Sequence, residues 1–367
     1  MKYLSCLSVF VMLCFSFSLK AQDTKLPHPY MWKSFNNPGY SGFDGLASVN
    51  IGMRRAYWSN PLDFRSYFLS ADYSFKDKRG TLGLGGVSLF YQRDQEKSIM
   101  YVTNSISAAI SARVKVGRRS VLQLGLQPFL HFKNLDQSRI VLGDQLDPYY
   151  GQILGLSPEL VEFYSDNVTL FDVAAGIYGK SDFYAGKTGL STLEYGFSIY
   201  HIIESTQSFL SRHGSVSSEE NLLHRRYSAY LAYKHPFTIN YNLHTILSPY
   251  FMIDMQSVMK NIHYGVYWEE ERIGMIGLGV RNNQYDGFSV GTLLLSLGVN
   301  LRQSDQQGWK IGYTFEVPTT QGTMYKNTSH SLSVHWYFKV APQRCGANFF
   351  DKSAYGKRTR NKRKIKL

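Results

Sequence analysis

Cysteine is nearly missing from this sequence: 3 in 367 residues, with Cys6 and Cys14 inside an apolar stretch at the start. The remaining Cys345 has no internal partner, so the fold is not a disulfide-stapled module and must hold itself together otherwise. Long apolar runs are missing after residue 19. Met1-Lys2, the apolar run Leu4 to Leu19 and the small-residue site Leu19-Lys20-Ala21-Gln22 together read as a signal peptide spanning 1–21. No later stretch is long and uncharged enough to cross a bilayer as a helix. The cleavage point carries no Cys, which excludes a lipoprotein.

Local signatures of chemistry are missing as well. The 10 His are scattered, with no H-E-x-x-H and no Cys/His cluster at ligand spacing. Gly83-Leu84-Gly85-Gly86 and Gly277-Leu278-Gly279 have the glycine density of a phosphate loop but lack the following Lys-Ser/Thr, and read as glycines where a barrel bends or side chains crowd. Asp44, Asp144, Asp147 and Glu269 to Glu271 form no paired-carboxylate motif. His201, with Ser198 three positions before it and Glu204 three after, is the nearest approach to a hydrolytic constellation. In an extended strand, positions three apart face opposite sides, so the three do not converge. No catalytic residue, cofactor or metal site is expected, and the chain reads as a non-enzyme.

Acidic charge is scarce, with 27 Asp and Glu against 40 Lys and Arg, but the net +13 is local. It concentrates in a tail at 341–367, which holds Lys357, Arg358, Arg360, Lys362, Arg363 and Lys364. A basic run confined to the tail of an exported protein is a weak nucleic-acid signal, and no such partner is expected. Two readings of the tail stand: a solvated extension, or a periplasmic contact for anionic lipid or an acidic partner.

What the chain does contain is aromatic residues and glycine: 27 Tyr, 23 Phe and 31 Gly against 11 Pro, at a mean hydropathy of −0.24. That is strand-rich usage at a polarity too high for a helical membrane protein. Strict two-residue alternation recurs. Leu332, Val334, Trp336 and Phe338 share one face of a strand, with Ser331, Ser333, His335 and Lys339 on the other. Trp309, Ile311, Tyr313, Phe315 and Val317 oppose Lys310, Gly312, Thr314 and Glu316. Leu122 to Phe132 and Val102 to Val114 repeat the design.

Further candidates lie near 47–58, 65–75, 81–92, 168–179, 193–203, 225–235, 245–255, 261–270, 272–281 and 286–301. The total of about fourteen strands, each about nine residues or longer, suits a tilted membrane-crossing strand better than a soluble sandwich. Tyr57, Trp58, Tyr67, Phe68, Phe90, Tyr91, Tyr267, Trp268, Trp336 and Tyr337 near strand ends are expected to form interfacial girdles. The fold expected is therefore an all-β transmembrane antiparallel barrel over 47–340, with a periplasmic lead-in segment at 22–46. Connections 134–167 and 204–224 are long, as extracellular loops are. Asn37-Pro38-Gly39 reads as the turn into the first strand, Pro fixing φ and Gly tolerating a positive one; a binding role is the alternative.

Three places resemble the PorP/SprF outer-membrane proteins of the Bacteroidetes type IX secretion system. They are Asn37-Pro38-Gly39-Tyr40-Ser41-Gly42; Gly196, Ser198 and His201 in a mid-chain strand; and Gly312-Tyr313 followed by His330 in a closing pair. The resemblance spans 22 to about 340. It implies a barrel of the Gram-negative outer membrane that works with other secretion and gliding components, periplasmic and outer-membrane. It also implies a role in exporting or surface-anchoring cargo with C-terminal sorting domains, with outer-membrane lipid around the wall. A passive porin or small-molecule transporter is the alternative.

Overall fold

The computed structural model describes residues 30–56, 63–76, 83–97, 101–136, 145–147, 149, 151–152, 167–184, 190–207, 209, 222–240, 243–257, 259–270, 273–283, 291–304, 307–319 and 328–339. The expected signal peptide, Cys345 and the basic tail residues 357–364 lie outside these, as do Tyr57 and Trp58.

A short helix α1 (Lys33–Asn36) and a single 3-10 turn (Pro38–Tyr40) precede the strands. Then come β1 (Leu46–Ala56), β2 (Phe64–Lys76), β3 (Gly83–Glu96), β4 (Tyr101–Lys115) and β5 (Ser120–Leu135). A small ribbon of β6 (Leu146–Asp147) and β7 (Gly151–Gln152) follows. The chain continues through β8 (Asn167–Tyr184), β9 (Leu190–Tyr200), β10 (Arg226–Asn240), β11 (Leu243–Gln256) and β12 (Met259–Glu270). It ends with β13 (Gly274–Asn283), β14 (Thr292–Ser304), β15 (Gln307–Pro318) and β16 (Ser329–Lys339).

All of these except β6 and β7 pair antiparallel with their neighbours in one closed barrel, and β1 closes it on β16 with Val49 opposite Trp336. The fourteen-strand barrel anticipated from the alternation is what the chain forms. Strands run from 10 residues in β13 to 18 in β8, and closure leaves no edge unpaired.

The pleat decides what fills each side. Ser66, Ser70 and Ser74 on β2, Ser107 and Ser111 on β4, and Gln123 and Gln127 on β5 are buried inside. Between them Leu69, Ile106, Ile110, Leu124 and Leu126 point outward, from 43% exposed at Leu69 to 60% at Ile110. Polar inside and aliphatic outside inverts the soluble arrangement and is stable only where the surrounding solvent is hydrocarbon. Gly85, at φ +135, opens a bulge in β3 where the register with β2 slips between Phe75 and Lys76, which is the bending role anticipated for the Gly83–Gly86 cluster.

The two ends of the cylinder differ. One carries the short turns 77–82, 116–119, 185–189, 241–242, 271–273 and 305–306; the other carries the long connections 136–166 and 201–225. At the long-loop rim Asp63 is clamped by Arg55 (2.7 Å), Arg65 (2.8 Å) and Lys97 (3.7 Å). Burial pushes its carboxyl up, but hydrogen bonds from Arg55 and Arg65 and their charge outweigh that and hold it at about 2, below the ordinary 3.8. A depressed folded-state value stabilises above the ordinary pKa and ceases to do so as pH falls through 2. Urea unfolding in detergent should therefore lose at most about 2 kcal/mol between pH 5 and pH 2, less what water screens at the half-exposed arginines. Asp63→Asn should abolish that slope; an unchanged slope would assign it elsewhere.

Several aromatic residues expected in the girdles face the other way. Adjacent residues on a strand point to opposite faces, so the pairs Tyr67-Phe68 and Tyr267-Trp268 are split. Tyr67 and Trp268 look outward, whereas Phe68 and Tyr267 are buried inside, as is Phe90. Their inward rings are not wasted on water: Phe68 and Phe90 pack on Phe35, and Tyr267 on Tyr30.

Candidate functional site

An inner wall of serine and glycine leaves a wide lumen, and the chain fills it with its own N-terminal segment. Tyr30 starts near the short-turn end, its hydroxyl 2.5 Å from Glu269 on β12. The segment rises past Trp32, which lies against Phe68 (5.8 Å), to Phe35 and Asn36 in the long-loop half. There Tyr200 donates to the Phe35 carbonyl (2.7 Å) and Ser198 to the Asn36 carbonyl (2.8 Å). The turn Pro38–Tyr40 reverses it, and it descends past Ser41, whose carbonyl accepts from Ser111 (2.7 Å) and Gln123 (2.6 Å), into β1. Residues 30–45 thus form a hairpin-shaped plug inside the barrel rather than a lead-in outside it.

Wall glycines are an imprint of this plug. A Cβ added at Gly52 would strike the Trp32 ring; at Gly86, the backbone of Gly42; at Gly125, Pro38; at Gly312, the Met31 sulfur. At Gly176 and Gly196 it would strike the Asn37 side chain. Asn37 is the best-held residue of the plug. Its amide donates to the carbonyls of Ile177 (2.8 Å) and Phe197 (3.2 Å), and its oxygen accepts from Gly39 N–H (2.8 Å).

Gly39 does not have the positive φ expected of it; that falls at Gly42 (+65°) and Gly45 (+73°). Gly39 is needed for close approach, since a Cβ there would sit 2.8 Å from Tyr178 N and 2.9 Å from the Gln123 carbonyl. Residues separated by well over a hundred positions are therefore matched atom for atom.

The family model for "Type IX secretion system membrane protein PorP/SprF" matches residues 19–336, taking in both the plug and the wall. The chain belongs to the PorP/SprF family. No curated protein matches it. Among solved structures this PorP/SprF barrel is similar to the β domain of the Bordetella autotransporter BrkA, at 12% identity and TM-score 0.42, covering 80% of this chain and 99% of that one. It is similar to a Pseudomonas aeruginosa FadL homologue, at 12% identity and TM-score 0.41, covering 88% and 95%. It is also similar to the Pseudomonas putida toluene transporter TodX, at 8% identity and TM-score 0.41, covering 88% and 96%. Scores this low carry no function from those proteins to this one.

The residues that carry the sequence resemblance divide between the inside and the outside of the wall. Asn37, Pro38, Gly39 and Gly42 form the plug, and Gly196, Ser198 and Gly312 are its seat. Tyr313 and His330 are outward neighbours on β15 and β16, joined by a 2.6 Å hydrogen bond. His201 lies just past β9, which stops at Tyr200 rather than running on to 203; it adopts φ +58° and contacts Asp172 of β8 at 2.6 Å. Ser198, His201 and Glu204 do not converge: Ser198 serves Asn36, His201 pairs with Asp172, and Glu204 binds Arg225 (3.5 Å).

Charges inside the PorP/SprF lumen are cross-links that local spacing did not show. Lys33 of the plug reaches Glu194 of β9 (2.5 Å), which also holds Lys234 of β10 (2.7 Å) and the Tyr178 hydroxyl (2.9 Å). Glu269 takes Lys310 of β15 at 2.9 Å. In the long-loop half Glu316 accepts from Arg54 (2.9 Å) and Arg281 (2.8 Å). Below the plug, at the short-turn end, a cavity of about 440 Å³ remains, bordered by Tyr30, Asp44, Asn50, Lys310 and Tyr337 among others.

Proposed function

We propose that this PorP/SprF barrel is a non-enzymatic docking component of the type IX machinery in the outer membrane, supporting export or surface anchoring of proteins with C-terminal sorting domains. The observation that carries this reading is the plug. It meets the inner face of β1 to β5, β8 to β10, β12, β15 and β16, and a lumen closed by fourteen strands and largely filled from within suits a scaffold better than a diffusion pore. What such a barrel offers is its surfaces. The long connections 136–166 and 201–225 face the exterior and present the cargo-binding surface, as loops on a rigid scaffold do. The short-turn end faces the periplasm, where the basic residues Lys357 to Lys364 contact lipid headgroups or an acidic partner of the machine.

Residues 1–21 are the export signal in this reading, and no nucleic acid takes part. Deleting the gene should remove one or more sorting-domain proteins from the cell surface and medium while leaving uptake of small solutes unchanged. Unchanged secretion with impaired solute uptake would favour the porin reading.

A further inference from the structure

Three residues from three distant parts of the chain meet in the long-loop half of the lumen: His131 on β5, Asp172 on β8 and His201 just past β9. One candidate ligand atom from each lies within 4.8 Å of the others. Asp172 is fully buried; its Oδ2 contacts His201 Nδ1 at 2.6 Å and its Oδ1 takes no hydrogen bond among the described residues. A carboxylate in that condition calls for more positive charge than one imidazole supplies.

His131 Nδ1 contacts Ser105 Oγ at 2.7 Å, a contact that orients the ring as outer-shell partners orient metal-bound imidazoles. The two imidazole centroids are 6.1 Å apart, and Phe129 stacks on His131 at 5.5 Å to wall off one side. His201 holds the left-handed backbone that non-glycine residues adopt at a cost of about 1–3 kcal/mol.

We propose that His131, Asp172 and His201 bind a divalent transition metal of the zinc class, which pins the roots of both long connections to the barrel wall. Two neutral imidazoles and one carboxylate are a zinc donor set, and leave a fourth position for water or an incoming side chain. Binding replaces the His201 Nδ1–Asp172 contact with two metal bonds and releases any proton shared there. The ion would tie β5, four residues before its end at Leu135, to the residue that follows the end of β9 at Tyr200, so it holds together the long-loop ends of these strands. This proposal does not depend on the secretion role.

The test uses the full chain without a polyhistidine tag, refolded in detergent, stripped with EDTA and titrated with ZnCl2 against a chromophoric chelator. One Zn2+ per chain at about micromolar affinity or tighter is expected, with a visible tetrahedral absorption band when Co2+ is substituted. His131→Ala and His201→Ala should each weaken binding by at least about 100-fold and Ser105→Ala by about 10-fold, in chains that keep the heat-dependent gel shift of a folded barrel. Where an alanine variant does not fold, Asp172→Asn supplies the same comparison with the side-chain shape kept. Absence of stoichiometric zinc in the unmodified chain overturns the proposal, as does binding that survives all of these changes.

Discussion

A chain lacking residues 30–42 should carry ohmic current in planar bilayers where the intact chain is silent. The deletion removes the segment that spans the lumen and leaves the wall intact. That wall depends on a closed ladder from β1 to β16, not on the plug. Its charges stay paired when Lys33 and Tyr30 go, because Glu194 keeps Lys234 and Glu269 keeps Lys310. Much of the inner face exposed to water is serine, glutamine and glycine, which hydrate at little cost, and the rings the plug covers, Phe68, Phe90 and Tyr267, are the apolar part that the deletion uncovers. A heat-dependent gel shift would show that the deleted chain still folds. If it folded and remained silent, something other than residues 30–45 would close the barrel. If the intact chain conducted, the plug would not be a seal and the docking reading would lose its main support.

The wall was legible in the sequence because its information is local. Ser331 to Phe338 announces a two-faced strand by itself, and Leu124, Leu126 and Leu130 find lipid whatever their neighbours do. The plug was not legible because its information is pairwise over long separations. Gly176 and Gly196 look like ordinary strand glycines until Asn37, 140 positions before Ile177, is placed between them.

Asn37-Pro38-Gly39 does make a turn, as its composition suggests, but nothing local says that the turn lies inside the cylinder. The girdle expectation failed at Phe68, Phe90 and Tyr267 for the same reason: an inward aromatic residue looks misplaced until an apolar guest is known to fill the lumen. His201 was singled out for the wrong companions, since Ser198 and Glu204 are near in sequence while Asp172 and His131 are near in space.

Replacing Glu316 by alanine should destabilise the barrel by about 3–5 kcal/mol, because it leaves two buried guanidinium groups facing each other with no counter-charge. Glu316 is wholly buried, and the Arg54 and Arg281 side chains are 9% and 7% exposed. The three come from β15, β1 and β13, so the triad bridges the seam where β1 meets β16 and reaches across β14. Yet among the described residues each arginine leaves its Nε without a hydrogen bond, so the desolvation of three charges is only partly offset.

A network that is half satisfied contributes little net stability while being costly to break. Replacing all three at once, Arg54→Met with Arg281→Met and Glu316→Leu, should therefore fall within about 1–2 kcal/mol of the unmodified chain or exceed it. Urea-driven unfolding in lipid vesicles, followed by tryptophan fluorescence, measures both. A triple replacement as damaging as the single one would mean that side-chain shape at the seam matters rather than charge. A single replacement with no effect would mean that water reaches the arginines from the long-loop side, and the lumen above the plug would then be wet.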